Sequence, residues 1–370
     1  MTANREILIA LDQSNSLAEK LAHLHESIRA RHPLITRIAL ALYDGETDIV
    51  RTFIYSGETS PLNHYQAKLQ DCFSLLTLAE NNTARLEQDL AVFDQSPHLH
   101  AQKIRQAGYR SSYTLPIRYQ SELLGFLFFN ANEANAFDAG CISDLNILAD
   151  LVALLLVTSL GNVRTLMSTV KSAIDLSRSR DPETANHLER MSRYARIIAR
   201  NLNSAEQPDD QTSEYIYMFA PLHDIGKIAI PDDILLKPGK LTSEEYEVMK
   251  THAEKGRDMA RTLIKNYRLE DSPHLELLFN IIAHHHEAWD GSGYPDGLAG
   301  THIPIEARIV TVADIFDALT SHRPYKEAWS DERALEELTR LSGVKLDPDC
   351  VSALINNIEE VTLVRQTFTD

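Results

Sequence analysis

Residues 281–326 read IIAHHHEAWDGSGYPDGLAGTHIPIEARIVTVADIFDALTSHRPYK. This stretch indicates what kind of reaction the helical half of the chain could perform. Three consecutive histidines precede a glycine-rich turn around Tyr294. An acid, Asp314, and a basic pair, Arg323 and Lys326, follow. Imidazole and carboxylate together suit first-row metal ions, and nearby Arg and Lys suit a phosphate. The pattern predicts a metal-dependent phosphohydrolase.

Residues of the same types lie upstream. The segment LHDIGK places His223 beside Asp224. Glu183 and His187 are four apart, so they would share one face of a helix, and His252 stands alone in KTHAEKG. Taken singly, the Glu–His pair fits a solvated helix face and His252 fits a surface or cap position. Only the combination with the downstream histidines favours a common site.

The bulk composition limits the class of ligand. The chain has 370 residues, enough for two domains, and is 44% hydrophobic and 24% charged, as in a soluble globular protein. Its formal net charge of -17 argues against a nucleic-acid polymer as the main ligand, because phosphate backbones require a basic surface. A small phosphate-bearing ligand in a local basic pocket stays compatible with this charge.

Cysteine usage and hydropathy indicate the compartment. Cys72, Cys141 and Cys350 are far apart and form no CxxC pair, so we expect a reducing environment and no thiolate zinc site. The N-terminus lacks the basic and apolar segments of a signal peptide. The longest apolar run, 151–157, is far shorter than the ~20 residues that a bilayer requires. We therefore expect a cytoplasmic protein that does not engage a membrane.

The first 137 residues have the pattern of an α+β domain. Helical spacing predicts helices over 7–31 and 61–78. Period-two alternation predicts four strands, over 38–42, 50–55, 112–117 and 123–130.

Residues 138–180 predict one long helix that connects two domains. Apolar residues recur at alternating spacings of three and four, with one slip, as in a coiled-coil seam. They are Leu145, Ala149, Val152, Leu156, Leu160, Val163, Met167, Val170 and Ile174. Such a helix, roughly 60 Å long, cannot cover its apolar stripe against one small domain. We expect it to pair with its copy in a parallel homodimer; the alternative is a capping helix within a monomer.

Residues 181–370 predict an all-α bundle. Pro231, Pro238 and Gly239 mark a loop between two helices, and Thr242 with Glu245 forms a capping box. The candidate helices are 182–202, 213–224, 243–267, 275–287, 305–320, 331–342 and 347–358.

This third part resembles the HD-GYP family, a branch of the HD-domain phosphohydrolases. The family is named for a His-Asp pair and a Gly-Tyr-Pro loop, here His223-Asp224 and Gly293-Tyr294-Pro295. The segments ETANHLER, APLHDIGKIAIPDDILLKPGKLT, HHHEAWDGSGYPDGLAGTHIP, ARIVTVADIFDALTSHRPYK and LDPDCV carry the resemblance, in the family's order. It implies an all-helical bundle that hydrolyses the bacterial second messenger cyclic di-GMP to linear pGpG and, with a third metal, to GMP.

The resemblance also implies a ligand set for the metal ions. It comprises His187, His223, Asp224, His252, His285, His286 and Asp314, with Asp224 bridging two metals. Glu183 matches a residue found in family members that bind three metals, and we expect three metals here. The alternative is a dinuclear site in which Glu183 is an outer-sphere acceptor. His284 is an additional histidine. Iron is the metal that the resemblance favours, and manganese also suits these ligands.

The expected substrate contacts come from the same resemblance. Lys227, Arg323 and Lys326 would contact the phosphates, and Asp224 and Lys227 would be catalytic. Tyr294 would stack on a guanine or hydrogen-bond to it. In the family, the Gly-Tyr-Pro loop also contacts signalling proteins.

The N-terminal part resembles a GAF domain in LPIRYQSELLGFLFFNANEANAFDAG, residues 115–140. This resemblance implies a sensor of an unidentified small molecule that regulates the hydrolase through the long helix. The predicted organisation is 1–137 sensor, 138–180 connecting and dimerisation helix, and 181–370 phosphohydrolase. Two alternatives remain: a non-catalytic cyclic di-GMP receptor that acts through protein contacts, and an HD-type hydrolase of another cyclic dinucleotide.

Overall fold

The computed structural model describes residues 9–14, 16–58, 60–93, 99–176, 185–267, 269, 274–321 and 328–369. The chain divides into two compact units, Met1–Gly161 and Asn162–Asp370. The first is an α+β domain and the second is helical, so the predicted fold class is confirmed.

The first unit is built on a six-stranded antiparallel sheet with the order β3-β2-β1-β6-β5-β4. Its strands are β1 (Ile35–Asp44), β2 (Ile49–Gly57), β3 (Gln66–Lys68), β4 (Arg85–Glu87), β5 (Ser111–Tyr119) and β6 (Glu122–Ala131). The four longer strands contain the four predicted segments. The two edge strands have three residues each, too few for a period-two pattern to identify.

The sheet is accompanied by the helices α1 (Leu17–Arg31), α2 (Phe73–Asn81) and α3 (Leu99–Gln106). The prediction of one helix over 61–78 was wrong, because Ala67 pairs with Val50 in the sheet and the helix begins only at Phe73. The helix predicted over 7–31 is interrupted before Leu17. Ser16 and Glu19 form a reciprocal capping box there, which fixes a new helix start.

The long helix, α4 (Ala139–Leu176), has 38 residues. Leu145, Val152 and Leu156 are buried in the first unit. Its first part, Ala139–Gly161, is long and apolar enough to cross a membrane by length and composition, but it is an internal segment that connects the two domains. The seam side chains of Met167, Val170 and Ile174 lie outside the described part, so pairing with a second copy stays a prediction.

The second unit packs its helices around one apolar core that includes Tyr194, Leu278 and Phe316. The helices are α5 (Ala185–Asn201), α6 (Asp210–Phe219), α7 (Asp232–Leu235), α8 (Ser243–Lys250), α9 (His252–Tyr267), α10 (Leu275–His284), α11 (Ile305–Thr320), α12 (Asp331–Leu341), α13 (Pro348–Asn356) and α14 (Ile358–Thr367). The predicted capping box at Thr242 is present.

Two helix predictions in this unit need correction. The helix predicted over 243–267 is divided at Thr251 into α8 and α9. The helix predicted over 213–224 ends at Phe219 and continues as two 3-10 turns, Ala220–Leu222 and Ile225–Ala229. Both breaks occur beside predicted metal ligands, so they orient those side chains.

Candidate metal centre

Seven of the eight predicted metal ligands come together in two groups. Within each group the ligand atoms lie within 4.8 Å of one another. The first group holds Asp224, His252, His285 and His286, and the second holds His187, His223 and Asp314. The eighth predicted ligand, Glu183, lies outside the described residues.

Asp224 lies between these groups, and its two carboxylate oxygens face different histidines. Oδ1 is 3.2 Å from Nε2 of His252 and 3.6 Å from Nε2 of His285. Oδ2 is 3.1 Å from Nε2 of His223 and 2.7 Å from Nζ of Lys227. This is the arrangement that a bridging carboxylate requires.

The backbone fixes the orientation of three histidine rings. In His223, His252 and His285, Nδ1 lies 2.9, 2.8 and 3.1 Å from the carbonyl oxygen three residues earlier, so we assign the proton to Nδ1. The Nε2 lone pair of each ring is then directed towards Asp224. Nε2 of His252, Nε2 of His285 and Oδ1 of Asp224 are buried and make no hydrogen bond to any described residue.

Acceptor atoms that face each other at this distance in a buried site repel unless a cation or a proton lies between them. The donor set of imidazole nitrogens and carboxylate oxygens fits a first-row metal.

The protonation states also fit a metal. Burial would raise the pKa of Asp224, but the charge of the adjacent Lys227 ammonium group outweighs it and holds that pKa well below its usual range. Burial lowers the pKa of His285 and of His286. At neutral pH the carboxylate is ionised and these two imidazoles are neutral, which are the forms that bind metals.

A buried network supports the second group. Asp317, fully buried on α11, accepts hydrogen bonds from Nδ1 of His187 (2.7 Å), from Nε of Arg190 (2.7 Å) and from the Ser321 hydroxyl (2.9 Å). Burial would raise the pKa of Asp317, but His187 and Arg190 lower it. Sequence reasoning missed this network. The available signal was spacing, since Asp317 follows Asp314 by three residues and Arg190 follows His187 by three.

Two glycines bring Asp224 against His252. A Cβ atom on Gly226 would lie 1.9 Å from the carbonyl oxygen of His252 and 2.6 Å from the amide nitrogen of Gly256. Only glycine permits this approach between the 3-10 turn after Asp224 and the first turn of α9. The IGK segment therefore has a packing role in addition to carrying Lys227.

The Gly-Tyr-Pro loop is held against the centre by its backbone. A Cβ atom on Gly293 would lie 2.3 Å from the amide nitrogen of Ala288, and the amide of Tyr294 donates to the carbonyl of His286. The Tyr294 ring consequently lies 4.7 Å from the His286 ring, centre to centre. Burial raises the pKa of Tyr294, so its hydroxyl stays protonated.

Glu287 anchors the far side of this loop. Its buried carboxylate accepts hydrogen bonds from the amides of Asp296 (2.7 Å) and Leu298 (3.0 Å). His284, the additional histidine, belongs with Glu287 and Asp296 in a third group, away from Asp224. The role of Glu287 was not predicted.

The predicted substrate contacts are only partly described. Lys227 and Tyr294 border the two metal-ligand groups, whereas Arg323 and Lys326 lie outside the described residues. Two residues not singled out from the sequence lie beside Tyr294. Nζ of Lys250 is 5.8 Å from the centre of the Tyr294 ring, and the Tyr246 ring is 6.5 Å from it.

Comparison with known proteins agrees with this division of the chain. Residues 171–350 match the family described as HD domain, and residues 19–156 match the GAF domain.

Three relatives resemble the second half. The chain is 47% identical over 206 residues to the cyclic di-GMP phosphodiesterase response regulator RpfG of Xanthomonas campestris, a match that covers 56% of this chain and 51% of that protein. It is 46% identical over 196 residues to a cyclic di-GMP phosphodiesterase of Thermotoga maritima, covering 53% and 50%. It is 40% identical over 192 residues to the 3'3'-cGAMP-specific phosphodiesterase 2 of Vibrio cholerae, covering 52% and 35%. The chain therefore spans about half the length of these relatives, or less.

Proposed function

This chain joins an N-terminal GAF domain to an HD domain of the HD-GYP type, and from that premise we propose that it is a metal-dependent phosphodiesterase that hydrolyses cyclic di-GMP. The observation that carries the proposal is the position of Asp224, whose two oxygens face histidines of two adjacent ligand groups. A pure binding module has no need of such a ligand set.

The residues that would hold the metals are the seven of the two groups, with Asp224 shared between them. Glu183 would complete a site for a third ion. The chemistry supplied by bound metals would be Lewis acidity at the phosphoryl oxygens and a lowered pKa of water. Iron is the proposed metal, and manganese is the second choice, because histidine and carboxylate suit both.

The remaining residues would bind and orient the substrate. The ammonium group of Lys227 lies 2.7 Å from Asp224 and would offset the charge that builds on the phosphoryl oxygens. Arg323 and Lys326 would bind phosphate oxygens, and Tyr294 would pack against a guanine. In the first hydrolysis, water adds to phosphorus, the bond to the 3′ oxygen breaks and that oxygen takes a proton, giving pGpG. A second hydrolysis gives two GMP.

The finer organisation is part of the same proposal. The GAF domain would regulate the HD domain through α4, and α4 would pair with its copy in a homodimer. The proposed division is 1–137, 138–180 and 181–370, in a protein that works in the cytoplasm. The Gly-Tyr-Pro loop would also contact signalling proteins.

A second substrate has support from one observation. Relatives from Vibrio cholerae, at 40%, 39% and 28% identity, are named 3'3'-cGAMP-specific phosphodiesterases. Both cyclic dinucleotides carry the same diester linkage and differ by one base. The base contacts around Tyr294 would therefore decide between them.

The test is anaerobic purification of the full chain, metal analysis per chain and chromatography of products from each cyclic dinucleotide. We expect about two or three irons per chain, with pGpG or GMP formed from cyclic di-GMP. The double variant His223→Ala/Asp224→Ala should form no product, whereas His302→Ala, at an exposed histidine outside the ligand groups, should keep activity. A fully metallated protein that binds cyclic di-GMP without cleaving it would replace this proposal with the receptor.

A further inference from the structure

A cavity of about 270 Å³ lies in the GAF domain, which contains none of the predicted metal ligands. Its walls come from one face of the sheet and from α2 and α3. On the sheet, Ala39 pairs with Phe128 across β1 and β6, and both line the cavity, as does Leu75 of α2. The volume is near the lower end of the ~300–1,000 Å³ range typical of ligand pockets. The cavity therefore suits a small molecule with an apolar part.

The charge of the lining is one-sided. Four arginines, Arg37, Arg51, Arg85 and Arg105, line the cavity, and no carboxylate does so among the lining residues that the structure describes. The whole chain has a net charge of -17, so the cavity lining is positively charged in a protein that is negatively charged as a whole. Arg51 has Asp44 at 3.5 Å, and Arg85 has Glu87 at 3.9 Å. Arg37 is different, since no described carboxylate pairs with it.

The Arg37 side chain is 2% exposed, and its single described hydrogen bond is from a terminal guanidinium nitrogen to Oδ1 of Asn130, at 2.8 Å. Its Nε is buried and has no hydrogen-bond partner within the described ranges. Burial lowers the pKa of Arg37 to about 10, and the groups that oppose this shift are two tyrosines, Tyr109 and Tyr55. A buried cation without a counter-ion is costly to keep.

The neighbours of Arg37 extend the polar part of the cavity across three strands. Asn130, on β6, pairs across the sheet with Arg37 on β1 and with Ser112 on β5. The Asn130 amide donates to the Ser112 hydroxyl at 3.2 Å, and all three residues line the cavity. One end of the cavity is thus cationic and polar, while Ala39 and Phe128 make the adjoining wall apolar.

We propose that this cavity binds a small organic anion, whose carboxylate or phosphate group pairs with Arg37 and whose apolar part lies against Ala39 and Phe128. The anion would supply the counter-charge that the described residues do not provide, so its binding would offset the cost of the buried guanidinium. The proposal concerns a second site and is independent of hydrolysis at the metal centre, because its test measures binding alone.

The first test is calorimetric titration of the full chain carrying His223→Ala/Asp224→Ala, so that phosphate binding at the metal centre does not contribute. Benzoate and phenyl phosphate are the anionic probes, and benzyl alcohol is the neutral probe of similar size. We expect at least one anion to bind with a Kd below about 10 mM, and the alcohol to bind at least ~10-fold more weakly. The stronger of the two anions distinguishes carboxylate from phosphate recognition. Equal binding of the alcohol, or no saturable binding of either anion up to about 10 mM, would overturn the proposal.

The second test assigns the binding to the cavity. Arg37→Met, in the same background, should abolish anion binding without lowering the melting temperature of the ligand-free protein, because it removes an uncompensated buried charge. Arg29→Met makes the same change at an exposed position outside the cavity and should leave binding intact. If Arg37→Met does not fold, Ala39→Val, which narrows the cavity, should weaken the anion at least ~10-fold. Anion binding that survives both cavity changes would place it elsewhere and overturn the assignment.

Discussion

Nδ1 of His187 lies 2.7 Å from Oδ2 of Asp317, and the Asp317 side chain is completely buried. A carboxylate in this position fixes the ring orientation and raises the basicity of the other ring nitrogen. If His187 binds a metal as proposed, its affinity therefore depends on a residue that lies outside both ligand groups.

Asp317→Asn should lower metal affinity by about 10- to 100-fold, because the amide no longer fixes the His187 ring as the carboxylate does. Metal analysis after dialysis against a weak chelator measures this loss. Asp258→Asn, at an exposed position of α9, is the matched control and should retain full metal content. Unchanged metal content in Asp317→Asn would show that the carboxylate has no part in metal binding.

Substitutions within the three consecutive histidines should show which of them binds a metal and which only lies nearby. His285 faces Asp224, whereas His284 lies with Glu287 and Asp296. His285→Ala should reduce the metal content by about one ion per chain and abolish hydrolysis, since a lost ligand opens a shared site. His284→Ala should keep the metal and most of the activity. Equal loss of metal from the two variants would contradict the grouping.

Gly226→Ala should both destabilise the HD domain and lower its metal content. The added methyl group would overlap the carbonyl oxygen of His252, so the 3-10 turn and α9 must separate, at a cost of about 1–3 kcal/mol or more. Thermal unfolding and metal analysis report the two effects. Gly161→Ala, in α4, meets no atom within 4 Å and should be neutral or slightly stabilising. A stable and fully metallated Gly226→Ala protein would argue against this close approach.

The sequence predicted that the residues of the two groups would share a site, because their types and their order follow the family's motifs. The supporting residues could not be predicted in this way. His187 and Asp317 are 130 positions apart in the chain, and their contact exists only after α5 packs on α11. Glu287 directly follows three histidines in the sequence, but its hydrogen bonds to the loop amides depend on the path of the loop in the folded domain.

The fold shows the same limit. Alternation found the four long strands, but Ala67 becomes part of a strand only because the edge of β2 is available to pair with it. Local sequence around residue 67 therefore gave a helix prediction that tertiary contact overrode.

Glu306 should make stability depend on pH. Burial raises its pKa above the unfolded value, although Asn280 donates to it at 2.7 Å. A carboxyl group whose pKa is higher in the folded protein than in the unfolded chain lowers the free energy of unfolding once the pH rises above its pKa in the unfolded chain. Glu306→Gln should therefore raise the melting temperature near pH 7 by about 1–3 °C, and the gain should shrink as the pH falls towards ~4.

Glu276→Gln, in the first turn of α10 and exposed, is the control for this comparison and should change the melting temperature little at either pH. A gain for Glu306→Gln that does not vary with pH would rule out burial of the charge as its cause.

Two substitutions at Tyr294 should distinguish stacking from hydrogen bonding. If the ring packs on a guanine, Tyr294→Phe keeps KM for cyclic di-GMP, and Tyr294→Ala raises it by about 10-fold, since a base–aromatic stack contributes ~1–3 kcal/mol. If the hydroxyl recognises the base, both variants raise KM alike. Steady-state kinetics on metal-matched samples give the answer, and an unaffected KM in Tyr294→Ala would remove this residue from the substrate contacts.

The hydrogen bonds from Asp296 and Leu298 to Glu287 have a thermodynamic consequence. A glycine-rich segment that was loose before binding would lose conformational entropy when it closed on a nucleotide, and that loss would subtract from affinity. Here the carboxylate of Glu287 has already restricted the segment during folding of the domain. A nucleotide bound there, as proposed, would meet a segment whose backbone is already tied to Glu287, so the entropy lost on association would fall mainly on the nucleotide.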